Sequence, residues 1–567
     1  MQRYRAILPV LLIVFLWPHC APRAATVADS LDSAPPRQPR PGTPTSPTLA
    51  TIQPEIRYTA DQIETVLARA DAAWRSYRRL RVRLDSVDSH EQALAVRATA
   101  LRAMTQSVER LLGKEKRKPT KEGAQIIADA LNSLDRATAA VEYDSDRIAL
   151  RMAQESLLPP TQPYCLCLAP AFARVSPLAP TACPPTNRAS ATLAAGEAGS
   201  FQLVIVPYWN PIVGVRIELS DLFRRDSIDR FGLDQIRFWL VESVAGTSTL
   251  SRVQFMPDPL APLRPFDLPA TVSQAVLVDI RARRDQPAGV YEGHLTVRPQ
   301  NLAATSIALQ IVVRPFTLPD GVPEVSFAAR NESVQKQFLS SPSVRFIQQW
   351  QSFLSAFGLG LYRPKGFADS AEGWLPWPTG QLAPIGMPGG DVELPALYGY
   401  LPYRQTAWNA WLERQRRGSD ALRWLVNEWV SLDPASSEPL RQRTAPFVRS
   451  QRSGKSSENP PGMIYVNRQG EPEPTVRLIV LRDGVEDYRY LALLARKIAE
   501  TQERKAAGWW KRRRWKRLLD IDPTLFDPKR AAPEAFSKMQ AHREKVVAAI
   551  VEAQRCLDEQ AAQASRR

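Results

Sequence analysis

The hydrophobic repeat of this chain changes near residue 158, and that change fixes what its first half can fold into. Between about 58 and 157 the apolar residues recur at helical spacing. Ile63, Leu67, Ala70, Trp74, Tyr77 and Leu84 form one stripe, Leu94, Leu101, Val108 and Leu112 a second, and Ile127, Leu131, Leu134 and Val141 a third. Ser89 with Gln92 is a capping-box start, and Pro119-Thr120 opens the third helix. The pattern predicts a small antiparallel helical bundle over residues 55–157, either solvated on its outer faces or docked on a protein partner. From about 160 to 319 the repeat is two: Val213, Val215, Ile217 and Leu219 alternate, as do Val276, Val278 and Ile280, and Ile307, Leu309 and Ile311. With further strands at 200–206, 236–242 and 290–297, this stretch predicts a β-sandwich.

The ends read differently. Arg3 and Arg5 precede an apolar run from Ala6 to Trp17 that is too short to span a bilayer, and Thr26 and Ala28 follow as small residues. This predicts a signal peptide over residues 1–28 and an exported protein, periplasmic, envelope-bound or extracellular. Trp17-Pro18-His19 is a poor approach to a lipoprotein cysteine at Cys20. No other apolar stretch is long enough for a transmembrane span. Residues 29–54, rich in Pro, Ser and Thr, read as an extended linker.

The second half is organised around RLIVLRDGVEDYRYLALLARKI, from Arg477 to Ile498. It reads as a short strand through Leu478 and Val480, a junction at Arg482-Asp483-Gly484, then a helix with Val485, Tyr488, Leu491, Leu494 and Ile498 on one face. Asp483 stands where an N-cap is expected, with Glu486 three residues on and Arg482 and Asp487 beside it.

This run resembles the signature that closes the barrel of family 123 glycoside hydrolases and their DUF4091-type relatives. Four further motifs resemble the sandwich preceding that barrel, in the same order: GSFQLVIVP (Gly199–Pro207), MPDPL (Met256–Leu260), PAGVYEGHLTV (Pro287–Val297) and VVRPFTLP (Val312–Pro319). RWLVNEWVSLDP resembles the family's late barrel strand, with Trp424, Asn427, Trp429 and Asp433 on its W-x-x-N-x-W and D-P positions. The fold expected is therefore multidomain α+β: helical bundle, β-sandwich over 160–319, an incomplete TIM-like (β/α) barrel over 320–500, and basic C-terminal helices over 501–567. Within the barrel the pattern predicts a strand near Val325–Ala328, a helix carrying Phe346, Trp350, Leu354 and Phe357, a helix over Tyr403–Glu413 and a strand at Gly462–Val466. A complete barrel takes about 200 residues, and Val325 to Leu481 offers 157.

Enzymes of the family, so the resemblance implies, cleave terminal β-linked N-acetylgalactosamine through an adjacent Asp-Glu pair on a mid-barrel strand. The Asp orients the substrate's acetamido group and the Glu is acid, then base. The adjacent Asp-Glu of this chain, Asp558-Glu559, lies in the terminal helix pattern. Asp391 and Glu393, on the same side of an extended segment, are the best substitutes, although their stretch resembles one that follows the catalytic strand. Trp424 and Trp429 either stack on a sugar or fill the core, and Asn427 either binds a ligand or ties a loop. Arg482, Asp483, Gly484, Glu486, Asp487 and Tyr488 read as a structural motif.

Five cysteines allow one disulfide between Cys183 and either Cys165 or Cys167, or none. The scattered histidines give no relay and no metal site, and no cofactor is expected. A formal charge of +16 favours anionic surfaces without implying a specific nucleic-acid reader. Trp509, Trp510 and Trp515 beside KRRRWKR predict an amphipathic hairpin on the barrel end, or else a surface for anionic glycan or membrane. The sequence favours an exported, inactive family 123-like protein binding glycan or a protein partner. An active glycosidase with relocated carboxylates and a structural envelope protein are the alternatives.

Overall fold

The computed structural model describes residues 49–82, 89–115, 121–155, 163–177, 183–247, 253–270, 272–319, 325–329, 344–357, 360–361, 400–401, isolated positions from 404 to 415, 424–428, 430–431, 448–449, 464–466, 471–522 and 532–566. The fold mixes helix and sheet. It divides into two compact units, one of residues up to Ala153 with Pro207–Pro211 and Pro269–Val272, the other holding the rest.

The first unit is built on three helices, α1 (Leu49–Arg81), α2 (Ser89–Glu115) and α3 (Lys121–Glu155). Their stripes meet in one core: Ala70, Ala73 and Tyr77 pack with Leu94, Leu101 and Val108 and with Ile127, Leu134, Val141 and Ile148. Arg69 of α1 reaches across to Asp135 of α3 at 2.9 Å and to Glu142, which fixes register more than it adds stability at this half-exposed edge. α1 begins inside the stretch expected to be linker, because the proline and serine density ends at Pro47.

The second unit starts with two sheets. One runs in the order Tyr164–Pro170, Ala198–Pro207, Gln274–Arg281, Ile236–Thr247 and Val448–Arg449, with Val253–Pro262 also on Ile236–Thr247. The other runs Arg188–Ala195, Thr305–Thr317, Gly289–Arg298, Ile212–Leu219 and Phe266–Leu268. Antiparallel registers such as Val276 opposite Leu203 and Leu295 opposite Ile307 put alternate residues on one face. Leu203, Ile205, Val276, Val278, Leu295, Ile307 and Ile311 then share a single apolar core between the sheets.

After Pro319 the described pairings are parallel, except that Pro472–Glu473 runs antiparallel to Ile464–Val466. Val325–Ala329 lies between Gly360–Leu361 and Trp424–Glu428, and Val430–Ser431 pairs with Ile464–Val466. Helix α4 (Val344–Ala356) buries Trp350 and Leu354, and the described positions between 401 and 415 are helical. These short parallel sheets do not form a closed ring among the described residues. Three helices follow: α5 (Val476–Glu503), α6 (Trp509–Lys516) and α7 (Ala532–Arg566).

Helix α5 corrects the strand-and-junction reading of Arg477–Ile498. It is one helix, capped by Thr475, whose hydroxyl accepts the backbone N–H of Leu478 at 3.1 Å. Asp483 is therefore interior, not a cap. Every residue from Val476 to Leu491 is buried, so the first turns have no polar stripe, and an apolar run without a stripe cannot be told from a strand by periodicity. Gly484 is not a break either: a Cβ there would lie 2.6 Å from the carbonyl oxygen of Arg404. Glycine lets the backbone of the 401–415 helical segment approach α5.

Candidate functional site

A helix buried on all sides that also carries Arg477, Arg482, Asp483, Glu486, Asp487 and Arg489 must neutralise each charge inside the protein, since an unpaired buried charge costs several kcal/mol. The sheets and terminal helices supply the partners. Arg477 clamps Asp258 of the MPDPL strand with a fork of 3.1 and 2.8 Å, and the backbone N–H of Leu260 donates to the carbonyl of Pro474 at 3.0 Å. Arg482 donates to Asp279 at 2.7 Å and to Asp483 at 3.0 Å. Arg489 donates to the carbonyl of Pro319, the residue ending VVRPFTLP, at 2.8 Å.

Asp487 gathers four hydrogen bonds. It accepts from Arg404 at 2.7 and 3.1 Å, from the Trp408 indole at 3.0 Å and from Arg543 of α7 at 2.7 Å. Arg543 also reaches Glu197, which accepts from the Tyr490 hydroxyl and, at 2.6 Å, from the backbone N–H of Ala194. Glu486 accepts the N–H of Ala198 at 2.9 Å, and the Arg489 guanidinium stands 3.9 Å away. Asp487, Arg543 and Glu197 thus join α5, α7, the 401–415 helical segment and the turn before Ala198, while Arg482 and Glu486 tie α5 separately to two neighbouring strands.

Burial and neighbouring charge set opposite protonation states along this helix. Burial, then the negative charge of Glu197, push Glu486 up to about 8, so it is largely neutral at pH 7. Burial also raises Asp483, against the pull of Arg482 and Arg404. At Asp487 burial pushes the same way, but Arg404 and Arg543 outweigh it and hold the carboxyl below its ordinary range. Burial and Glu197 take the Tyr490 phenol well above its usual value. A neutral acid beside ionised ones is the raw material of acid–base chemistry. Here that acid is enclosed: Glu486 is 5% exposed, Asp487 2% and Glu197 1%.

Of the other expected residues, Trp424 and Asn427 lie on the parallel strand Trp424–Glu428, in register with Val325 and Ala328. Trp429, Asp433, Asp391 and Glu393 lie outside the described residues. Tyr488 is buried, its ring edge-on to Trp411 at 5.1 Å. Asp558 and Glu559 are exposed on α7, where Gln554 and Arg555 one turn away bond them. Cys167 and Cys183 form a disulfide, because residues 183–186 run alongside Cys167 through its bridge with Pro185. Cys165 is buried outside it. The described residues hold no group of three His, Cys, Asp or Glu able to hold a metal ion. No helix among them is long and apolar enough to cross a membrane.

Sequence reasoning missed Glu197, Asp279, Arg404, Trp408 and Arg543. Asp279 was findable: a lone carboxylate inside AVLVDIR, a strand otherwise apolar on both faces, needs a buried cation. Arg543, within the ordinary surface-like pattern AHREKVV, gave no signal.

Among solved structures, this chain is similar to a family 123 glycoside hydrolase from Clostridium perfringens. The TM-score is 0.42 at 11% identity, covering 69% of this chain and 99% of that one. It is similar over smaller spans to a PapD-like domain of human CEP192 (TM-score 0.15, 12% identity, 28% of this chain and 89% of that chain). The N-terminal domain of PorA is another such match (TM-score 0.15, 8% identity, 27% and 98%). No protein-family profile and no curated protein matches the sequence.

Proposed function

We propose that this chain is an exported relative of the family 123 glycoside hydrolases that has lost glycosidase activity and binds glycan or a protein partner on the retained scaffold. The observation that carries this reading is where the family-like motifs meet. Asp258 of MPDPL holds Arg477, Pro319 of VVRPFTLP holds Arg489, and the RDGVEDY charges are spent on Asp279, Arg404 and Arg543. Motifs far apart in sequence are thus the joints of one framework, which is what a shared ancestry of scaffold predicts. We rest the loss of activity on the carboxylates: the adjacent Asp-Glu of this chain is exposed on helix α7 rather than carried on a strand.

Trp424, Asn427 and Trp429, on and after a parallel strand, are the residues we assign to ligand binding. The helical bundle is a second surface for a protein partner. The test is an assay of the purified protein on an aryl β-N-acetylgalactosaminide, alongside a glycan array. No sugar release, with array binding weakened by Trp424→Ala or Trp429→Ala, is expected. Release abolished by Asp391→Asn or Glu393→Gln would overturn the reading.

A further inference from the structure

Helix α6, WWKRRRWK, is anchored by one tryptophan and presents two others. Trp515 is fully buried, and its indole donates to Glu552 of α7 at 2.9 Å. Glu552 also takes Arg514 and has Lys511 at 3.9 Å. At 100° per residue the direction opposite Trp515 holds Trp509, Trp510, Arg513 and Arg517, with Lys516 at the flank. Trp509 is 53% exposed and Trp510 74%, in edge-to-face contact at 4.4 Å. Arg513 lies over the Trp509 ring at 5.1 Å. Arg513, Lys516 and Arg517 make no salt bridge among the described residues, and no Asp or Glu occurs between Glu503 and Asp520. The turn after the helix is also fixed, since Trp411 and His542 bond the carbonyls of Leu519 and Leu518 at 2.9 and 2.8 Å.

We infer that this outer face of α6 docks on an anionic lipid bilayer. Tryptophan rings suit the headgroup boundary, where an apolar body and a polar N–H are both satisfied, and unpaired cations beside them meet lipid phosphates. A soluble acidic partner would use the cations but would not account for two rings held in water on a rigid helix. Docking of this kind involves no spanning segment and is independent of whether the chain retains a glycan site.

The purified protein should co-sediment with vesicles of equal phosphatidylglycerol and phosphatidylcholine, and much less with phosphatidylcholine alone. Added salt should weaken the association. Trp509→Ala with Trp510→Ala should reduce partitioning at least about tenfold, and Arg513→Glu with Lys516→Glu should abolish it, each charge being worth roughly a fivefold change. Both pairs are exposed, so melting should be unchanged. Equal binding to neutral vesicles, or undiminished binding by both variants, would overturn the inference. So would retention on heparin without any vesicle binding, which would assign the face to a soluble polyanion.

Discussion

Arg543 of α7 bonds Asp487 of α5 at 2.7 Å through one nitrogen and Glu197 through the other. A single guanidinium therefore bridges two carboxylates on different elements, each 1% exposed at its side chain, with Arg404 as the second cation on Asp487. Removing it as Arg543→Ala leaves both charges buried and should cost about 3–5 kcal/mol, read as a lower denaturant midpoint with unchanged slope. Arg543→Lys keeps the charge but not the planar fork and should lose less. An alanine variant as stable as the parent would remove the network from the account of the fold.

Glu486 predicts a pH dependence opposite to that of most carboxylates. Its folded pKa of about 8 lies above its ordinary 4.5, so the folded state holds a proton that the unfolded chain has released. Its contribution is full below pH 4.5 and lost as pH rises through 8, at up to about 1.4 kcal/mol per pH unit. Glu486→Gln, which can still accept the Ala198 N–H, should flatten that decline. Melting curves from pH 5 to about 8.5 on both proteins decide it, and parallel slopes would refute it.

Asp487 runs the other way. Its folded pKa is depressed, so its stabilisation is present above the unfolded value and disappears as acid protonates it. Asp487→Asn should remove part of the acid sensitivity while lowering stability at neutral pH.

Gly484→Ala should destabilise, although alanine is the better helix former by about 1 kcal/mol. The new methyl would meet the carbonyl oxygen of Arg404 at 2.6 Å and Ala407 at 3.1 Å. Backbone must shift, so a net loss of about 1–3 kcal/mol is expected. A stabilised variant would show that the close approach is soft.

The Cys167–Cys183 bridge closes a loop with a sequence separation of 16. Cys183→Ser should cost about 3 kcal/mol under oxidising conditions and nothing further in reductant. Cys165→Ala should leave the redox dependence intact, which separates the two thiols that the C-x-C spacing left equivalent.

Much of the architecture was legible because its elements have one wet face. Ile307 to Ile311 alternate because one side of the strand packs inward, and the first three helices keep clean stripes for the same reason. Val213 breaks its expected alternation: it lies 40% exposed between buried Ile212 and Val215, where the register shifts. α5 was misread where that condition fails: with Ile479, Val480 and Asp483 all buried, neither period survives. The charged cluster was half legible. RDGVEDY announced cations and anions in one place, but its counter-charges Asp279, Arg404 and Arg543 come from segments brought together only by folding, so no local pattern could name them.

The link from Glu197 to Arg543 spans 346 positions. As the polypeptide leaves the ribosome, the strands around Glu197 emerge long before the guanidinium that neutralises it. The second unit can reach its final packing only once residue 543 has been made.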